Sequence, residues 1–141
     1  MLFPKKVKFR KWSRGRFNPK KAGVATKGNL LSFGAFGLKA DEAGEIKSNQ
    51  IESARKTMAR LLEKTGKIWI RIFPDRSITR KPPETGMGKG KGDPAFFVAR
   101  VKKGRMIFEI DGVAGAIAKE ALRKAGAKLP VKTRIISRDM L

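Results

Sequence analysis

Apolar residues recur at helical spacing over residues 48–65, where Ile51, Ala54, Met58, Leu61 and Leu62 form one stripe and Arg55, Lys56, Arg60 and Lys64 lie off it. Spacings of three and four keep side chains on one face of a 3.6-residue turn, so an amphipathic helix is predicted, with Gly66 as its stop. A second helix is predicted from Asp111 or Gly112, carrying Val113, Ile117, Ala121, Leu122 and Ala125 inward and Lys119, Arg123, Lys124 and Lys128 outward. Pro130 prevents its continuation, having no N–H to donate. Between the helices the period shortens to two. Ile68, Ile70 and Ile72 alternate with Trp69, Arg71 and Phe73, a pattern that gives both faces something to touch and predicts a central strand.

Residues 30–38 are apolar but interrupted by Gly34 and Gly37, which suits a strand with a bulge or a close backbone approach. Ala95 to Lys102 and Arg105 to Ile110 flank Lys102-Lys103-Gly104 and predict an antiparallel hairpin. Val131 to Arg138 supplies a last strand. The order strand, helix, strand, long loop, hairpin, helix, strand is α+β, a mostly antiparallel sheet with two helices. The long loop is residues 74–94, punctuated by Pro74, Pro82, Pro83 and Pro94 and by Gly86, Gly88, Gly90 and Gly92. Loops of that length in a compact domain tend to carry function. Phe3, Phe9, Trp12 and Phe17 follow neither period, so the start of the chain reads as an extended arm. The expected division is a basic arm, 1–27, and a single α+β domain, 28–141, with a functional loop at 74–94.

Charge changes this picture. Lys and Arg number 34 against 12 Asp and Glu, a formal net charge of +22 on 141 residues, far beyond what solubility needs and self-repelling until a polyanion neutralises it. Residues 1–40 hold 11 of the basic residues and no acid, half of the net charge. The chain has no Cys and no His, which excludes disulfides and thiolate metal sites and removes the commonest general base. No apolar run approaches the ~20 residues that span a bilayer, and the start lacks a signal's apolar core, so a cytoplasmic protein with no membrane partner is expected.

Three features carry candidate chemistry. In the arm, Lys5, Lys6, Lys8, Arg10, Lys11, Arg14 and Arg16 can displace counterions from phosphates while Phe9 and Trp12 offer faces for unpaired bases; the competing reading is a solubilising tail. In the loop, Met87, Gly88, Lys89, Gly90, Lys91 and Gly92 alternate glycine with lysine, so that backbone N–H groups and cations approach phosphate closely. Arg80 and Lys81 stand upstream in that loop. It is no Walker loop, since no Gly-Lys precedes Ser or Thr, and a solvated loop is the alternative. Third, Arg55 and Arg60 on the first helix and Arg71 on the central strand are candidate RNA contacts, although Glu52 and Lys56 have the spacing of an ordinary helical ion pair. No carboxylate pair, activated nucleophile or metal-loop spacing stands out, so no catalytic site, metal or cofactor is expected. Charge alone also fits a DNA-compacting protein, and the glycine loop alone a phosphate-handling enzyme that uses Lys89 and Lys91.

The segments Leu2 to Lys11, Arg14 to Arg16, Ser32 to Leu38, Lys67 to Asp75 and Met87 to Gly92, extended by Asp111 to Val113 and Ala127 to Lys132, together resemble the family of the bacterial large-subunit ribosomal protein numbered sixteen. The resemblance implies a hammerhead-type ribosomal fold bound to large-subunit rRNA of the 23S type, beside neighbouring ribosomal proteins and with no homo-oligomer. It implies that the arm and the glycine-lysine loop enter rRNA, and that the loop faces A-site tRNA, with P-site tRNA as a second candidate, in a bacterial-type ribosome. Two departures stand out. Gly86 occupies the place where many members carry Arg before the loop Met, and Pro19-Lys-Lys lengthens the stretch after Arg16.

Overall fold

The computed structural model describes residues 22–79 and 94–138, together with Leu2 and Pro4. Its elements are β1 (Phe36–Ala40), β2 (Gly44–Lys47), α1 (Ser48–Leu62), β3 (Lys67–Ile70), β4 (Arg76–Thr79), β5 (Pro94–Val101), β6 (Met106–Asp111), α2 (Gly115–Gly126) and β7 (Thr133–Ser137). They form a four-stranded sheet in the order β3-β6-β1-β7 and a three-stranded sheet in the order β2-β5-β4. Every ladder is antiparallel. The fold is α+β with two helices, as the periodicities predict.

The helices lie where their apolar stripes require. On α1, Ile51, Ala54, Met58 and Leu62 are buried, and on α2, Ala118, Ala121, Leu122 and Ala125. They share one core with Leu38, Ala40, Ile46, Ala99, Val101, Phe108 and Ile110 from the two sheets. Small alanines on both helices allow their axes to approach. Ile117, predicted to point inward, is 46% exposed, because the buried stripe is carried one position on by Ala118. Helix α2 also starts later than Asp111 or Gly112: the Gly112 N–H is held by Asp111 Oδ1 at 2.8 Å in a turn with φ 82°, which is not helical. Gly66 does not stop α1. Glu63 and Lys64 take the left-handed conformation, and Thr65 donates to the Leu62 carbonyl.

Four strand assignments change in the fold. The predicted hairpin around Lys102-Lys103-Gly104 does not form a ladder: β5 pairs with β2 and β4, and β6 with β1 and β3, so the chain turns at Gly104 (φ 95°) and crosses to the other sheet. The predicted central strand starting at Lys67 is an edge strand, and the apolar middle position goes to β6, whose residues from Met106 to Ile110 are all buried. Residues 76–79, expected inside the loop, form β4, where Thr79 comes opposite Pro94 of β5. Pro94 can lie there because edges and strand starts tolerate a missing N–H.

Residues 30–35 are not strand. The segment 24–35 is laid across the face of the four-stranded sheet opposite the helices. Val24 bridges Lys103, Ala25 N–H donates to Lys103 O (2.8 Å), Met106 N–H to Gly28 O (2.7 Å) and Ala35 N–H to Ile110 O (3.1 Å). Leu31 packs beneath it on Met106 and Ile136. The close approach expected from the glycines is present: a Cβ on Gly34 would sit 2.6 Å from the backbone oxygen of Ile110. Because that oxygen belongs to a doubly buried strand, Gly34→Ala should destabilise the chain by about 2 kcal/mol, seen as a lower urea midpoint with an unchanged slope.

Candidate nucleic-acid interface

The period of two in β3 determines what its two faces do. Ile68 and Ile70 pack on the helix-side core. Lys67 and Trp69, with Arg71 following the strand, turn to the covered face, where Trp69 lies opposite Glu109 of β6. The Glu109 side chain is completely buried, and its Oε1 accepts the backbone N–H groups of Ser32 (3.0 Å), Phe33 (2.9 Å) and Gly34 (2.9 Å). Its Oε2 is paired with Arg71, whose side chain is 16% exposed and which also donates to Leu30 O at 3.2 Å. Burial pushes the Glu109 carboxyl up, but the amides of Gly34 and Phe33, the Arg71 guanidinium and the Ser32 amide outweigh that and hold it below the usual carboxylate range.

This carboxylate fixes a surface. With its backbone pinned, Phe33, 53% exposed as a residue, has its ring stacked on Trp69, centroids 5.8 Å apart and planes 16° from parallel. Arg71 lies over Phe33 at 5.2 Å and Lys67 Nζ over Trp69 at 5.4 Å. Cations and ring faces attract through the ring quadrupole, and both kinds of group suit a nucleic acid.

A basic pocket of about 230 Å³ adjoins it, lined by Ala25, Thr26, Lys27, Arg100, Lys102 and Arg105. The Arg105 guanidinium joins the two areas: it donates to Lys27 O (3.2 Å) on the pocket side and to Arg71 O (2.9 Å) on the aromatic side. Arg100 is paired with Glu45 at 3.1 Å. Every charged side chain in that lining is cationic, which suits an anion such as phosphate.

Of the candidates read from the sequence, Arg71 is committed to Glu109, and Arg55 to a helical pair with Glu52, one residue before the Lys56 whose spacing also allowed that pair. Arg60 is exposed on the solvent side of α1. Lys5, Lys6, Lys8, Phe9, Arg10, Lys11, Trp12, Arg14 and Arg16 of the arm, and Arg80, Lys81, Met87, Gly88, Lys89, Gly90, Lys91 and Gly92 of the loop, lie outside the described residues. The ends of β4 and β5 mark where the loop departs, at the paired Thr79 and Pro94. Sequence reasoning missed Phe33, Lys67, Trp69, Lys102 and Arg105 as a set. The available signal was Trp69 and Arg71 alternating with isoleucines, which marks a second occupied face without saying by what. Among the described residues there is no helix long and apolar enough to cross a membrane and no acidic cluster that could hold a metal ion. A family model described as ribosomal protein L16p/L10e matches residues 4–136.

Proposed function

The chain belongs to the L16p/L10e family of ribosomal proteins, structural components of the large ribosomal subunit, and from that premise we propose that it anchors in large-subunit rRNA through its arm and presents the glycine-lysine loop to A-site tRNA. The observation that carries the reading is the extent of the family match, 4–136 of 141 residues, which takes in both the acid-free arm and the loop. Lys5 to Arg16 supply the phosphate contacts, with Phe9 and Trp12 as stacking faces. Arg60 adds a contact from the open side of α1. Met87 to Gly92, with Arg80 and Lys81 behind them, face the tRNA acceptor arm at the A site and extend toward the P site. The protein catalyses nothing in this reading: it positions RNA, in a single copy, among neighbouring large-subunit proteins of a bacterial-type ribosome. With Gly86 in place of the frequent Arg, the loop reaches the RNA with one cation fewer.

Sedimentation tests the anchoring. The chain should remain with the large subunit at high salt, and release into the supernatant at moderate salt would reject it. A large-subunit structure with residues 87–92 in bulk solvent would remove the tRNA-facing role. Neutralising Lys89 and Lys91 with Gln should flatten the dependence of log K on log salt by roughly 0.7 to 0.9 for each phosphate that is no longer neutralised, read by filter binding to deproteinised large-subunit RNA. An unchanged slope would identify a solvated loop. A DNA-compacting protein would instead bind plain duplex DNA at least as tightly as structured rRNA at physiological salt.

A further inference from the structure

Phe33 is an unusual residue to leave in water. Phe33 and Leu30, three positions apart on one segment, are 53% and 61% exposed, and the backbone at Phe33 is held by a buried carboxylate. The usual reason for a half-exposed aromatic, a loose loop, does not apply: three consecutive amides are bonded to Glu109 and the next one to Ile110 O. The ring is therefore presented in a fixed attitude, and a partner that stacks on it loses little further freedom from the protein side. The near-parallel pair with Trp69 has the geometry of the first two steps of a stack that a third flat ring would extend.

Charge selects the kind of ring. Around the pair and the adjoining pocket stand Lys27, Lys67, Arg71, Arg100, Lys102 and Arg105, against Glu45, Asp111 and Glu109. Glu109 is buried and already engaged by Arg71, and Glu45 by Arg100, so the accessible surface is net positive. An apolar patch of another protein would meet uncompensated cations here, whereas a nucleotide brings a flat base and an anionic phosphate together. Inside a duplex both faces of a base are covered by its stacked neighbours, so the base that stacks here is an unstacked, unpaired one.

We propose that Phe33, backed by Trp69, is the seat for one unpaired base of the large-subunit RNA, with an adjoining phosphate in the basic pocket lined by Lys27, Lys102 and Arg105. The site deepens the rRNA-binding reading and rests on it. It uses residues other than Lys5 to Arg16 and Met87 to Gly92, and it is built on the four-stranded sheet and the segment that covers it.

The test uses the full chain and deproteinised large-subunit RNA in filter-binding titrations over a range of KCl. Phe33→Ala and Phe33→Leu should each weaken binding about tenfold, in the range of one base–aromatic stack, with the salt slope unchanged because stacking releases no counterion. Phe33→Trp should bind as tightly as the parent. Lys102→Gln should leave the stack and flatten the slope by about 0.7 to 0.9. If Phe33→Leu binds like the parent while Phe33→Ala does not, the contact is merely apolar, as with a neighbouring protein, and the seat is wrong. If Phe33→Ala fails to fold, the comparison of Leu with Trp decides alone. Parent-like binding by all three Phe33 variants overturns the seat and spares the rRNA reading. A parent chain with no preference for this RNA over duplex DNA overturns both.

Discussion

Glu109→Gln should lower the stability of this protein by about 3 kcal/mol, more than any other single side-chain change expected here. The carboxylate is fully buried and serves four donors at once, the amides of Ser32, Phe33 and Gly34 and the guanidinium of Arg71. An isosteric amide keeps one acceptor oxygen but turns an N–H₂ group toward one set of donors and leaves the poorly solvated Arg71 without a counter-charge. Thermal denaturation should show a fall of roughly 10 °C for a chain of this size. Arg71→Met added to Glu109→Gln should recover part of the loss, since removing both charges is less costly than stranding one. A loss under 1 kcal/mol, or strict additivity of the two changes, would refute the account.

The same carboxylate predicts a pH dependence. Its folded pKa lies below its ordinary value of 4.5, so on acidification the unfolded chain takes up the proton first. The stabilisation is complete above 4.5 and is lost as pH falls through the lower, folded value. The stability of the parent chain should decline over that acid window. Glu109→Gln, which has no proton to take up there, should decline less steeply in urea titrations at matched pH.

The second large effect concerns the arm. Replacing Lys5, Lys6, Lys8, Arg10, Lys11, Arg14 and Arg16 by Gln should reduce the slope of log K against log salt by roughly 5 to 6, at 0.7 to 0.9 for each phosphate left without its cation. Affinity for large-subunit RNA should then fall by several orders of magnitude at low salt, while the urea midpoint of the folded body hardly moves. An arm that only solubilises the chain predicts a slope within one unit of the parent's.

These two predictions lie on opposite sides of what could be read before folding. The arm was legible because its signal is compositional: eleven cations and no acid in the first 40 residues need no tertiary structure to be recognised. Glu109 was not legible. In Met106-Ile-Phe-Glu-Ile-Asp111 it looks like the solvent-facing residue of an alternating strand, and only the segment 30–34, some 75 residues earlier, makes its position an interior one. Arg71 was noticed for its charge and read as an RNA contact, but the fold gives it to Glu109.

The sequence by itself determined the two helices, the strand-forming runs and the polyanion-binding character, because helix and strand periods and net charge are local or additive properties. It also determined the family, since short motifs in fixed order span the chain. Which runs pair was decided only in three dimensions. Ala95 to Val101 and Met106 to Ile110 are joined by a turn with glycine at positive φ, as a hairpin would be, yet they part into different sheets because β6 is buried on both faces and needs β1 and β3 as neighbours. The aromatic surface was decided there too. Phe33 and Trp69 are 36 positions apart in the chain, and they meet because one buried carboxylate ties the first to the strand beside the second.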